Sequence, residues 1–152
     1  MIRQKKPLPI LMAEDDEDDR LLALDAFTEV KLINELYFVE NGEELLDFLY
    51  HRGAYADPET SPRPGIILLD LNMPKKDGRA ALKEIKSDEN LRSIPIIVLT
   101  TSKAEEDIYN SYELGVSSFI VKPVTFEGLV NVITNLGRYW FEVVELPPYE
   151  KL

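Results

Sequence analysis

The stretch GIILLDLNMPKKDGRAALKEIKS (65–87) decides the fold. It opens on GIILLD (65–70), an apolar run with no polar alternation that ends on an acid. Strands buried on both faces have this form, and they belong to parallel sheets covered by helices on either side. A short turn-forming segment follows, and GRAALKEIKS (78–87) then reads as a helix. Similar units lie on both sides. LPILMA (8–13), ELYFVE (35–40), IPIIVLT (94–100) and SSFIVK (117–122) read as strands. DDRLLALDAFTEV (18–30) and NGEELLDFLYHRG (41–53) read as helices, the second closing at Gly53. A further helix is expected near 103–114 and a long one from about Thr125. AYADPETSPRP (54–64) carries no hydrophobic period and is expected to be a surface loop. The pattern is β-α repeated about five times, without internal repeats.

Sheets of this kind bind ligands beyond the carboxyl ends of their strands. Those ends are polar here: Glu14, Asp15 and Asp16 after the first strand, Asp70 after the third, Thr100 and Thr101 after the fourth, Lys122 at the fifth. In a parallel sheet they meet at one edge. Carboxylates crowded together repel each other unless a cation neutralises them. With oxygen ligands alone, the fitting ion is hard, and Mg²⁺ suits best. Such an ion also takes phosphate oxygens as ligands, which leads to phosphoryl transfer, with a carboxylate able to act as nucleophile. Each feature has a plainer explanation on its own. The acids of EDDEDD (14–19) could simply be solvated at a helix N-terminus, where the dipole favours them. Asp70 could be a turn residue, and Lys122-Pro123 an ordinary strand exit. Their coincidence at successive strand ends is what favours a site. Asp18 and Asp19 fall inside the first helical turn and receive no ligand role.

Composition bounds the alternatives. The 152 residues fit one domain, and 45% are hydrophobic, enough for a single core. The formal net charge of −11 argues against a direct nucleic-acid partner. There is no cysteine, so neither a disulfide framework nor a thiolate metal site is possible; this suits a reducing, cytoplasmic setting. No apolar run is long enough to span a bilayer, and no signal peptide is evident.

The residues EDD (14–16), LLDLNMPKKDG (68–78), VLTTS (98–102) and VKP (121–123) resemble the receiver domains of two-component response regulators over about residues 8–135. The resemblance implies a flavodoxin-like, doubly wound five-stranded parallel sheet of order 2-1-3-4-5. It makes Asp70 the phospho-acceptor and Asp15 the direct acidic metal ligand. Glu14 takes the neighbouring acidic position, which usually reaches the metal through water, and Asn72 contributes a backbone carbonyl. Mg²⁺ is the implied cofactor, with Mn²⁺ able to substitute. Thr100 resembles the switch hydroxyl, Lys122 the phosphate-binding lysine and Phe119 the switch aromatic. Asn72 and Ser102 stand where the family tunes phosphate lifetime. The loop HRGAYADPETSPRP (51–64), the segment LLDLNMPKKDGR (68–79) and the tail YWFEVVELPP (139–148) look closer still to the small receivers that partner cyanobacterial phytochromes. That implies a sensor histidine kinase of phytochrome type as phosphodonor.

The expected organisation is an N-terminal segment (1–7), a receiver (8–135) and a helical extension with tail (136–152), without an output domain. Phe126, Leu129, Ile133, Leu136, Trp140 and Val143 are spaced 3, 4, 3, 4, 3, a heptad-like seam. A helix from about 126 to 145 would measure about 30 Å, against about 17–20 Å for a core strand. Its last turns, with Trp140, Phe141 and Val143, would overhang the sheet. The tail either folds back on its own domain or buries against a second copy; a homodimer is the expectation, with output through another protein. Two enzymatic or cofactor-binding alternatives fit less well. A haloacid-dehalogenase-type phosphatase usually carries a second Asp two residues after its nucleophile, where this chain has Asn72. A flavodoxin-like cofactor binder would meet six acids where it needs a phosphate loop. His51, the sole histidine, is expected at the surface near a helix C-terminus.

Overall fold

The computed structural model describes residues 9–30, 34–73, 78–100, 115–116, 118–121 and 125–136. Five parallel strands, β1 (Ile10–Ala13), β2 (Leu36–Val39), β3 (Ile66–Asp70), β4 (Ile96–Thr100) and β5 (Ser118–Val121), form one sheet in the order β2-β1-β3-β4-β5. The helices are α1 (Glu17–Glu29), α2 (Gly42–Tyr50), α3 (Gly78–Ser87) and α4 (Phe126–Leu136). This is the expected flavodoxin-like order. The helix expected near 103–114 and the part of the last helix beyond Leu136 lie outside the described residues.

Successive side chains in a strand point to opposite faces, and the sheet therefore builds two cores. Leu11, Ala13, Ile67, Leu69, Ile96 and Val98 face α2 and α3, packing against Leu45, Leu46, Phe48, Leu82 and Ile85. Ile10, Met12, Ile66, Leu68, Ile97 and Leu99 face α1 and α4, packing against Ala23, Ala26, Phe27, Leu129 and Ile133. All five β3 residues are buried, which accounts for the unbroken apolar run of GIILLD.

The last helix corrects one expectation. Leu129 and Ile133 are 2% and 1% exposed because they fill the chain's own core beneath α4. They cannot also present a seam to a second copy. Phe126 remains exposed at 38%. The side chain of Leu136 and residues Trp140, Phe141 and Val143 lie outside the described residues. The boundary at Gly53 also shifts. α2 ends at His51, which takes the left-handed conformation (φ 58°), while Gly53 (φ 57°) opens a short 3-10 turn, Gly53–Tyr55. A left-handed non-glycine residue is costly. Here the imidazole Nε2 lies 2.8 Å from the Ser61 carbonyl oxygen and ties the cap to the loop. His51 is accordingly half-buried, and Ser61 is buried within a loop expected to lie wholly at the surface.

Two further ties hold α2 in place. Asn41 caps it by accepting the Glu44 N–H at 2.8 Å. Tyr50 O–H donates to Asp88 Oδ2 at 2.9 Å, joining the end of α2 to the turn after α3. No helix among the described residues is long and apolar enough to cross a membrane.

Candidate functional site

Because every strand runs the same way, the carboxyl ends gather on one edge, as the sequence suggests. Register then decides which residues meet. Ala13 pairs with Leu69 and with Val39, so Glu14 leaves the sheet beside Asp70. Asp70 pairs with Leu99, one residue before Thr100, and Thr100 pairs with Val121. Lys122 and Ser102 lie outside the described residues. Thr100 and Phe119 are placed by their backbones in β4 and β5, with their side chains outside the description.

Three carboxylates converge. Glu14, Asp15 and Asp70 each offer an oxygen, and these atoms lie within 4.8 Å of one another. Glu14 and Asp70 are 0% and 2% exposed, whereas Asp15 faces solvent. Two buried acids beside a third form an arrangement that a cation stabilises. The donor set is all oxygen, as a hard divalent ion requires. For metal–oxygen bonds of about 2.1 Å, two ligands of one ion stand at most about 4.2 Å apart, so oxygens within 4.8 Å of one another are near enough to gather on one ion once the widest pair closes by about half an ångström.

Local hydrogen bonds hold the groups. Asn72 N–H donates to Asp70 Oδ1 at 2.9 Å, which fixes the carboxylate's rotation at the strand exit. Glu14 N–H donates to the Val39 carbonyl at 2.9 Å, and Asp16 N–H to Glu14 Oε2 at 3.2 Å. Asp16 is the N-cap of α1, accepting from Asp18 N–H at 2.8 Å and Asp19 N–H at 3.2 Å. The acidic run thus divides its work: Glu14 and Asp15 join the cluster, Asp16 caps, and Glu17, Asp18 and Asp19 occupy the first turn, where the helix dipole favours them. Asp19 also lines a small pocket between α1 and α4 with Glu14, Met12, Leu22, Leu99 and Leu129.

Two residues escaped the sequence reading. Gly78 starts α3 directly against the exit of β3, and its N–H donates to the Leu71 carbonyl at 3.2 Å. Its sequence signal is the Asp-Gly step that opens the helix. Arg20 follows the six acids and reaches back over them: its Nη1 donates to the Glu14 backbone carbonyl at 2.8 Å. A cation closing an acidic run is the only sequence signal for it.

A family profile described as the response regulator receiver domain matches residues 10–134. The chain is 40% identical over 141 residues to response regulator Rcp1 of Synechocystis sp. (strain ATCC 27184 / PCC 6803 / Kazusa), covering 93% of this chain and 94% of that protein. Among solved structures it is similar to the Mn²⁺-bound form of Rcp1, with a TM-score of 0.82 at 40% identity, covering 93% of this chain and all of that one. It is similar also to the phosphorylated cyanobacterial phytochrome response regulator RcpA, with a TM-score of 0.83 at 38% identity, covering 94% of this chain and all of that one.

Proposed function

Because the chain belongs to the response regulator receiver family, we propose that it is a cytoplasmic signalling module whose Asp70 stores a phosphoryl group received from a sensor histidine kinase of phytochrome type. One observation carries this reading: a buried carboxylate at the end of the central strand, its rotation fixed by Asn72, beside two further carboxylates. The phytochrome assignment draws on the likeness to RcpA, which is named as a phytochrome response regulator, at 38% identity.

The chemistry balances simply. An Asp70 carboxylate oxygen attacks the phosphorus of a phosphohistidine; the new P–O bond forms as the P–N bond breaks, and the imidazole nitrogen keeps the electron pair and takes a proton. The product is an acyl phosphate. Water later attacks the same phosphorus, inorganic phosphate leaves, and the carboxylate is restored. Glu14, Asp15, Asp70 and the Asn72 carbonyl would hold Mg²⁺ or Mn²⁺, and the bound ion would offset the negative charge on the phosphoryl oxygens. Thr100 ends β4 and Lys122 follows β5 in sequence; both are assigned to the phosphate oxygens, and Phe119 to the switch that reports their movement. Asn72 and Ser102 are assigned to the lifetime of the acyl phosphate. Residues 8–135 form the receiver in this reading, and 136–152 an extension. Phe126, Leu136, Trp140, Phe141 and Val143 are the residues proposed for contact with a second copy, which sedimentation at micromolar concentration tests: a monomer with and without phosphorylation removes the dimer.

The central test uses acetyl phosphate or a phytochrome-type kinase in the presence of Mg²⁺. The wild-type chain should acquire an acid-stable, base-labile phosphate, and Asp70→Asn should fall to background. Full labelling of Asp70→Asn would overturn the assignment.

A further inference from the structure

We propose that Arg20 is a positioning residue for the cation site, acting through the backbone of Glu14. The proposal rests on the site reading above and adds a residue to it. Arg20 is on the first turns of α1, with its side chain 19% exposed. Its Nη1 donates to the Glu14 carbonyl at 2.8 Å and stands 3.6 Å from Glu40 Oε1. Glu14 therefore leaves β1 with both backbone groups engaged: its N–H on Val39 and its C=O on Arg20. The peptide so fixed is the one that joins Glu14 to Asp15, the two acids that meet Asp70. Without that bond the Glu14 carbonyl would lose its hold on α1, and the aim of the two carboxylates that flank this peptide would loosen.

The two contacts of Arg20 are unequal. Glu40 is 61% exposed, and an exposed ion pair at that separation contributes little. The bond to the Glu14 carbonyl is partly buried and charge-assisted, which makes it the stronger of the two. Arg20 also has an electrostatic effect of opposite sign. Its positive charge lies close to the place where a cation would bind, so charge alone would make Arg20 weaken binding. Positioning and charge thus predict opposite outcomes when the residue is neutralised.

Mn²⁺ binding to the unphosphorylated chain, followed by electron paramagnetic resonance, separates them. Arg20→Met should raise the Mn²⁺ Kd about tenfold, in the range found when partners of metal ligands are removed, although the substitution makes the protein more negative. Arg20→Lys keeps the charge without the planar fork and should lie in between, while Glu40→Gln should stay within about twofold. Amide exchange in the metal-free protein gives a readout independent of the ion: the Asp15 and Asp16 amides should exchange faster in Arg20→Met, with those of β3 unchanged. If wild type binds Mn²⁺ and Arg20→Met binds it equally or more tightly, the proposal fails while the site stands. If wild type binds no Mn²⁺, the site reading fails and takes the proposal with it. Should Arg20→Met not fold, Arg20→Lys decides: an unchanged Kd and unchanged Asp15 exchange overturn the proposal.

Discussion

Gly78 rests on the backbone of Asp70. A Cβ at position 78 would stand 2.3 Å from the Asp70 carbonyl oxygen and 2.6 Å from the Leu71 Cα, distances that backbone atoms cannot yield without moving the strand exit. The first residue of α3 and the last residue of β3 are therefore in direct contact.

Gly78→Ala should push α3 away from β3. The expected cost is about 1–3 kcal/mol, typical of overpacking in a tight site, read as a lower urea midpoint with an unchanged slope. The Asp70 carboxylate moves with its backbone, so the rate of phosphorylation by acetyl phosphate should fall as well.

A divalent cation should stabilise the fold by mass action. At a concentration one hundred times its Kd, Mn²⁺ would add about 2.7 kcal/mol. Thermal unfolding with and without the ion measures this, and Asp15→Asn should remove most of the increment. Asp15 is the exposed member of the cluster, so its substitution disturbs packing least.

His51 separates backbone strain from a side-chain bond. His51→Ala loses the contact with the Ser61 carbonyl, about 0.5–1.5 kcal/mol, and keeps the left-handed conformation. His51→Gly loses the same contact but relieves about 1 kcal/mol of backbone strain. Denaturant midpoints should rank wild type and His51→Gly close together, with His51→Ala lowest.

Two groups give the stability a pH dependence of known sign. Backbone N–H donation from Asn90, then the Tyr50 hydroxyl, holds the Asp88 carboxyl below the usual carboxylate value. The folded state thus binds that proton more weakly than the unfolded state. The contribution is present above about pH 4 and is lost as pH falls through the folded value. Asp88→Ala should flatten the acid limb of the stability curve. At the other end, the hydrogen bond with Glu35, then burial, raises the Tyr37 phenol to about 12. Its contribution is complete below about pH 10 and is lost as pH rises through about 12. Tyr37→Phe should remove a phenolate step near pH 12 from a spectrophotometric titration.

The parts legible in the sequence share a physical cause. A strand covered on both faces must be apolar throughout, so its first polar residue marks the sheet edge; this is why Glu14, Asp15 and Asp70 could be read as neighbours. Helix faces were harder. In α1, Leu21 and Leu24 are 52% and 44% exposed while Ala23, Ala26 and Phe27 are buried, so hydrophobicity alone does not tell the two faces apart. In α4 the spacing of Leu129 and Ile133 equally suits a dimer seam or a monomer core, and only the position of the sheet beneath them decides. The cap at His51 was hidden because a nearby glycine is the usual helix terminator, whereas here a contact ten residues away holds the left-handed turn. Arg20 binds a main-chain carbonyl, and a main-chain acceptor leaves no mark on residue identity.

β3 has a strand on each side and a helix layer over each face. Segments so enclosed open last, while termini and loops open first. Asp70 thus ends a segment enclosed on every side. A charge added there would meet a mount that yields little on the strand side.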